Sequence, residues 1–253
     1  MSKIIAIANQ KGGVGKTTTA VNLSASLAVK GKKVLVIDMD PQGNATSGFG
    51  INKNEVEKTI YELLLGDCSA KESILVTKHK NVEIIPANVN LAAVEIELGE
   101  ESDKHFILKK EIEGVRDSYD YIIIDCPPSL GMLTINAMTT ADSVLVPIQC
   151  EYYALEGLGQ LLYTVNLVKE RLNPNLTMEG VVFTMYDSRN NLSMDVVKNV
   201  KQNYQGRVFN TIIPRNVRVA EAPSFGEPIN TYDPKSAGAE SYMNLAKEII
   251  TGK

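Results

Sequence analysis

The sequence predicts an α/β fold, a mostly parallel central sheet with helices on both faces, and three observations predict it. Short, predominantly apolar runs recur at 4–8, 34–37, 82–85, 121–124, 144–148, 180–185 and 208–213, as in strands buried on both sides. Helical patterning alternates with them at 17–29, 57–65, 91–115, 154–171, 190–203 and 236–251. A glycine-rich turn joins the first apolar run to the first helix. No linker or repeat interrupts the alternation, so a single domain spanning residues 1–253 is expected.

Composition narrows the class. The chain is 44% hydrophobic and 22% charged, and no apolar run approaches membrane-spanning length. Met1-Ser2-Lys3 leads straight into the first strand, so no signal peptide and a cytoplasmic location are expected. Cys68, Cys126 and Cys150 lie far apart without a C-x-x-C pair, which suggests buried thiols rather than disulfides or zinc. With only two histidines, His79 and His105, a histidine metal site is not expected. The net charge of −4 is unevenly spread: residues 189–253 hold nine Lys/Arg against six Asp/Glu, leaving 17 against 24 before them.

The first strand, 4–8, runs into Asn9-Gln10-Lys11-Gly12-Gly13-Val14-Gly15-Lys16-Thr17-Thr18. Glycines at 12, 13 and 15 let the backbone take positive φ and turn successive N–H groups onto one anion at the start of the next helix. Lys16 is placed to address β- and γ-phosphates and Thr17 to ligate Mg²⁺, the pattern of a P-loop NTPase. Gln10 stands where the general pattern has its first glycine. A dinucleotide fingerprint fits less well, because Thr18 replaces its third glycine and Lys16-Thr17 have no use there.

The second strand, 34–37, delivers Asp38-Met39-Asp40-Pro41 to the carboxyl edge, where ligands of open α/β sheets collect. Residues 42–50 are glycine and small polar residues, predicting a mobile switch loop. Within the helical stretch 91–115, Glu95, Glu97, Glu100, Glu101 and Asp103 read as a solvated face. The strand 121–124 ends in Asp125-Cys126-Pro127-Pro128, a Walker B pattern whose prolines force the chain out of the sheet.

Hydrolysis of a nucleoside triphosphate needs a phosphate cradle, a bridging metal and a group that aligns water. Thr17 is expected to ligate Mg²⁺ directly, with Asp125 and Asp38 holding its waters. Asp40, one pleat repeat beyond Asp38, is the choice for aligning the attacking water; a turn cap before Pro41 is the simpler reading of it. Lys11 would crowd Lys16 on one nucleotide, so its expected target is a phosphate on a second subunit; a solvent-facing lysine is the alternative.

The loop 11–18, Asp38-x-Asp40-Pro41-Gln42-Gly43-Asn44, Ile124-Asp125-Cys126-Pro127-Pro128-Ser129-Leu130 and Ile213-Pro214-Arg215-Asn216 together closely resemble the ParA/Soj chromosome- and plasmid-partition ATPases, the deviant Walker A group that includes MinD. The likeness runs over essentially the whole chain. It implies an ATP-dependent homodimer with Mg²⁺ that binds double-stranded DNA without sequence preference and releases it after hydrolysis. It also implies stimulation by a ParB-type partner, association with the nucleoid, a cross-subunit role for Lys11, and Pro214 and Asn216 near adenine.

Nonspecific DNA affinity requires a local basic patch on a chain of this charge. Arg189, Lys198, Lys201, Arg207, Arg215 and Arg218, with Lys235 and Lys247 further on, are the candidates, Arg189 and Arg218 foremost; scattered surface charge is the alternative. A MinD-like membrane ATPase would need a basic amphipathic C-terminal helix, whereas 242–250 reads as core-packing, so no membrane partner is expected. An iron-sulfur ATPase would need a second well-placed cysteine beside Cys126, and a P-loop kinase an acceptor pocket.

Overall fold

The computed structural model describes residues 2–99, 103–152 and 154–252; Glu100 and Glu101 of the acidic cluster lie outside the described residues. Among the described residues there are eight strands, β1 (Lys3–Ile7), β2 (Val34–Asp38), β3 (Leu75–Val76), β4 (Val82–Ile85), β5 (Tyr121–Asp125), β6 (Ser143–Gln149), β7 (Thr177–Tyr186) and β8 (Val208–Pro214). They form one sheet in the order β3-β4-β2-β5-β1-β6-β7-β8, parallel except for the β3–β4 edge pair. The seven expected strands are all present, within a few residues at their ends. The chain is a single-domain α/β fold, as expected.

Among the described residues, twelve α-helices cover the sheet: α1 (Lys16–Val29), α2 (Asn44–Gly48), α3 (Ile60–Leu65), α4 (Ala70–Ser73), α5 (Val94–Glu97), α6 (Ile107–Arg116), α7 (Met132–Thr140), α8 (Ala154–Arg171), α9 (Asn191–Asn203), α10 (Val217–Glu221), α11 (Ile229–Tyr232) and α12 (Ala237–Thr251). One core packs β-sheet residues such as Ile122 and Ile124 against α6, α7, α8 and α9. The other packs Ile5, Ile7 and Ile123 against α1 and α12. Alternate side chains of β1 and β5 therefore feed opposite cores, which is why these runs must be apolar at every position.

Three expectations need correction. Residues 42–50 are not a loose loop: α2 buries Ala45 and Thr46, and Phe49 behind it is buried too. The stretch 91–115 is not one helix; a 3₁₀ turn over Val89–Ala93 leads into α5, Gly99 takes φ +51, and α6 starts at Ile107. Glu95 is not simply solvated, because its Oε1 accepts the N–H of Met132 at 2.8 Å and so caps α7. The unexpected α7 is buried on nearly every side, leaving no amphipathic pattern to find.

Sheet order places the site. β1 lies between β5 and β6 while its crossover through α1 leads to β2 on the far side of β5, so the chain reverses direction across the sheet here. The crevice this opens lies at the carboxyl ends of β1, β2 and β5.

Candidate functional site: a phosphate cradle at the carboxyl edge

The loop after β1 is pinned at both sides. The buried Asn9 donates from Nδ2 to the Pro147 carbonyl at 2.8 Å and accepts the Lys11 N–H on Oδ1 at 3.0 Å. Across the loop, the Thr184 hydroxyl at the end of β7 donates to the Val14 carbonyl at 2.8 Å. Gly13 and Gly15 sit at φ +75 and +86, and a Cβ on Gly13 would meet nothing within 4 Å. The backbone angle, not crowding, is what demands glycine. Gly15 is also the N-cap of α1 and has no side chain to cap the helix, so its first N–H groups are available to an anion.

Lys16 is buried and donates to the Lys11 carbonyl at 3.0 Å. Burial lowers its pKa from the ordinary lysine value, and the Asp125 carboxylate opposes that shift. Lys11 points elsewhere: its ammonium pairs with the Glu151 carboxylate, each side chain about two-fifths exposed (40% and 43%). Gln10 next to it donates to Gln160 on α8.

Asp38 and Asp125 end adjacent strands in register and are both fully buried. Asp38 Oδ2 accepts the Thr46 N–H at 2.8 Å and the Thr46 hydroxyl at 2.7 Å, while Oδ1 accepts the Asp40 N–H at 3.2 Å. Burial pushes the Asp38 carboxyl up to about 6 despite these donors. Asp125 is raised well above the usual carboxylate range, first by burial and then by Asp38; Thr17 and Lys16 pull it back. Neither Asp125 oxygen has a hydrogen-bond partner of good geometry, Thr17 included.

A buried carboxylate with both oxygens unmet beside a phosphate cradle fits a cation. Among the described residues no three His, Cys, Asp or Glu side chains could hold a metal by themselves. That would suit Mg²⁺, which takes few protein ligands and keeps waters of its own; Thr17 and Asp125 are the residues that could hold it. Asp40 Oδ1 accepts the Gln42 N–H at 2.9 Å, so the turn-cap role at Pro41 is real and occupies one of its two oxygens.

Pro214 and Asn216 are brought to the loop. With Gly15, Thr18, Met185 and Tyr242 they line a cavity of about 280 Å³. Asn216 Oδ1 also caps α10 through the Val219 N–H at 3.3 Å. Thr184, Met185 and Tyr242 were not foreseen; the one available signal is that Thr184 and Met185 close an expected strand at the carboxyl edge. A larger hollow of about 520 Å³, among Lys78, His79, Lys80 and Asn81, contains no residue of the cradle, so size does not mark the site.

The basic residues do not form one continuous patch. Lys198 and Lys201 are exposed on α9, whose Val196 and Val200 pack into one core; Lys247 is on α12, which packs into the other. Arg189, with 87% of its side chain exposed, chelates Asp187 at 2.9 and 2.7 Å. Arg218 pairs with Glu221 at 3.1 Å and Asp233 at 3.7 Å. Arg215 and Lys235 are exposed. Arg207 lies over the Phe209 ring at 4.3 Å and donates to the Glu248 carbonyl, so it serves the fold.

A family model described as an AAA domain matches residues 2–178. The chain is 57% identical over 249 residues to the sporulation initiation inhibitor protein Soj of Bacillus subtilis, covering 98% of each chain. It is 52% identical to the chromosome partitioning protein ParA of Myxococcus xanthus, over 99% of this chain and 88% of that one. The chain belongs to the ParA/Soj family of partition ATPases. As a family member it is an ATP hydrolase of the P-loop class, with ATP and Mg²⁺ as the ligands of its cradle. The family fold is shared with other activities: a structure named cobyrinic acid a,c-diamide synthase from Mycobacterium smegmatis, with bound ADP and magnesium, is 37% identical with a TM-score of 0.88, over 99% of this chain and 94% of that one.

Proposed function

We propose that residues 1–253 act as one ATP-driven switch for DNA partitioning: ATP joins two copies, the dimer holds double-stranded DNA without sequence preference, and hydrolysis stimulated by a ParB-type partner releases it. The observation that carries this reading is the division of labour between two lysines in one loop. Lys16 is buried in the cradle, whereas Lys11 is turned away onto a partly exposed Glu151. A lysine outside its own phosphate site but on the same loop is suited to a phosphate held by a second copy.

In this mechanism the loop amides and Lys16 bind and orient the β- and γ-phosphates, Thr17 and Asp125 hold Mg²⁺ with Asp38 behind them, and Asp40 aligns water with its oxygen not used by the turn. When bound, Mg²⁺ would supply charge neutralisation to the phosphate oxygens. Pro214 and Asn216 border the base, and Lys11 adds positive charge in trans. The basic side chains bind DNA only when two copies sum their weak contributions, giving a cytoplasmic, nucleoid-associated protein without a membrane partner.

Gel filtration of the wild type and Asp40→Ala with ATP, each with and without duplex DNA, tests the proposal. The variant is expected to persist as a DNA-retaining dimer; a strict monomer under every condition overturns it.

A further inference from the structure

Thr46 lies on the segment whose sequence suggests a loose loop, yet it is fully buried and bonded on both sides of its hydroxyl. It donates to Asp38 Oδ2 at 2.7 Å and accepts the Ala87 N–H, just beyond β4, at 2.9 Å. Its own N–H donates to the same Asp38 oxygen at 2.8 Å. Two donors on one oxygen from one residue fix a carboxylate far more tightly than a single contact, because torsion about χ2 would break both.

The surroundings hold Thr46 in place. Gly43, the N-cap of α2, takes φ +59, and a Cβ there would stand 2.7 Å from the Ala87 carbonyl oxygen. The turn from β2 to α2 is therefore pressed against the end of β4, and Ala87 is a fixed backbone donor rather than a mobile one. Asp38 is in register with Asp125, the carboxylate with two unmet oxygens. Its Oδ1, which accepts only the longer 3.2 Å bond from Asp40, remains the oxygen least committed to the protein.

We infer that the Thr46 hydroxyl is a positioning residue for the metal site: it ties Asp38 Oδ2 to the Ala87 backbone and so holds Oδ1 toward the water shell of Mg²⁺ shared with Asp125. It touches neither nucleotide nor metal and acts through Asp38. The inference rests on Mg²⁺ binding at the cradle.

Thr46→Val removes the hydroxyl and keeps the shape, while Thr46→Ser keeps the hydroxyl and removes the methyl. Mn²⁺ is the probe, its binding to the ADP-loaded protein followed by the electron paramagnetic resonance of free Mn²⁺. Thr46→Val is expected to weaken Mn²⁺ about tenfold, or about 1.4 kcal/mol, and Thr46→Ser to stay within about twofold of wild type. ADP affinity without metal is expected to be unchanged in both, and the loss on Thr46→Val to vanish in an Asp38→Asn background. Wild-type Mn²⁺ affinity in Thr46→Val, an equal loss in Thr46→Ser, or an undiminished loss in the Asp38→Asn background each overturns the inference. Failure of the wild type to bind Mn²⁺ with ADP would overturn the metal site itself, and this inference with it.

Discussion

Asp125→Asn is expected to stabilise the metal-free protein while removing its function. The wild-type carboxylate is fully buried with neither oxygen bonded, and Asp38 faces it from the adjacent strand. Raising a carboxyl from 3.8 to about 6, as burial does for Asp38, costs about 3 kcal/mol when the group must ionise at pH 7.5, at about 1.36 kcal/mol per pH unit. Asp125 is raised in the same direction, first by burial and then by Asp38, and an uncompensated buried charge costs about 3–5 kcal/mol. An asparagine amide buried in its place costs about 1–2 kcal/mol in imperfect hydrogen bonding. The balance is a gain of about 2 kcal/mol, or roughly 4–8 °C in Tm for a chain of this size.

The pH dependence follows from the sign of the shift. A carboxyl whose folded pKa lies above its unfolded value makes the folded state bind more protons between the two, so stability falls as pH rises from the unfolded value of 3.8 toward the raised folded one. The advantage of Asp125→Asn should therefore be largest at pH 7.5 and shrink toward zero near pH 4. The assay is urea unfolding in EDTA at several pH values, followed by far-UV circular dichroism because the chain has no tryptophan. Mg²⁺ with ADP should reverse the order, stabilising the wild type alone. A metal-free Asp125→Asn less stable than wild type at pH 7.5 would refute the reasoning.

Two further predictions concern assembly. The half-exposed Lys11–Glu151 pair is worth at most about 1 kcal/mol, so Glu151→Gln should lower the ATP concentration for dimerisation by up to about fivefold in sedimentation velocity; a higher requirement would mean that Glu151 acts in the assembled dimer instead. Arg189→Ala with Arg218→Ala should abolish DNA retention and leave ATP binding unchanged, since surface pairs this exposed exchange readily for phosphate contacts; undiminished retention would remove them from the interface.

Most of the fold was legible because a parallel sheet buried on both faces leaves apolar runs that nothing else explains. Its failures share a cause. β3 is two residues long, α7 is buried nearly all round, and α2 is held by contacts its composition does not advertise. Thr46 meets Asp38 from nearby in sequence but depends on Ala87, 41 residues away. In the site, Gly12 to Thr18 and the two strand-end aspartates Asp38 and Asp125 carry their chemistry in local spacing. Thr184 is 170 residues from the carbonyl it holds and Glu151 is 140 from Lys11, distances across which one sequence has no pattern to offer.

The proposed dimer reading gives the nucleotide a physical route to govern association. The cradle contains uncapped helix amides, a buried ammonium and an orphaned carboxylate, and one magnesium triphosphate would answer all three within a single subunit. Lys11 is different, because it already has a carboxylate partner in its own chain. Releasing it costs at most about 1 kcal/mol at this exposure, whereas a phosphate enclosed between two copies would meet it in a drier setting where the same charge is worth more. On the proposed dimer reading, the pair with Glu151 would be strong enough to occupy Lys11 in one copy and weak enough to yield when a second brings a phosphate to it.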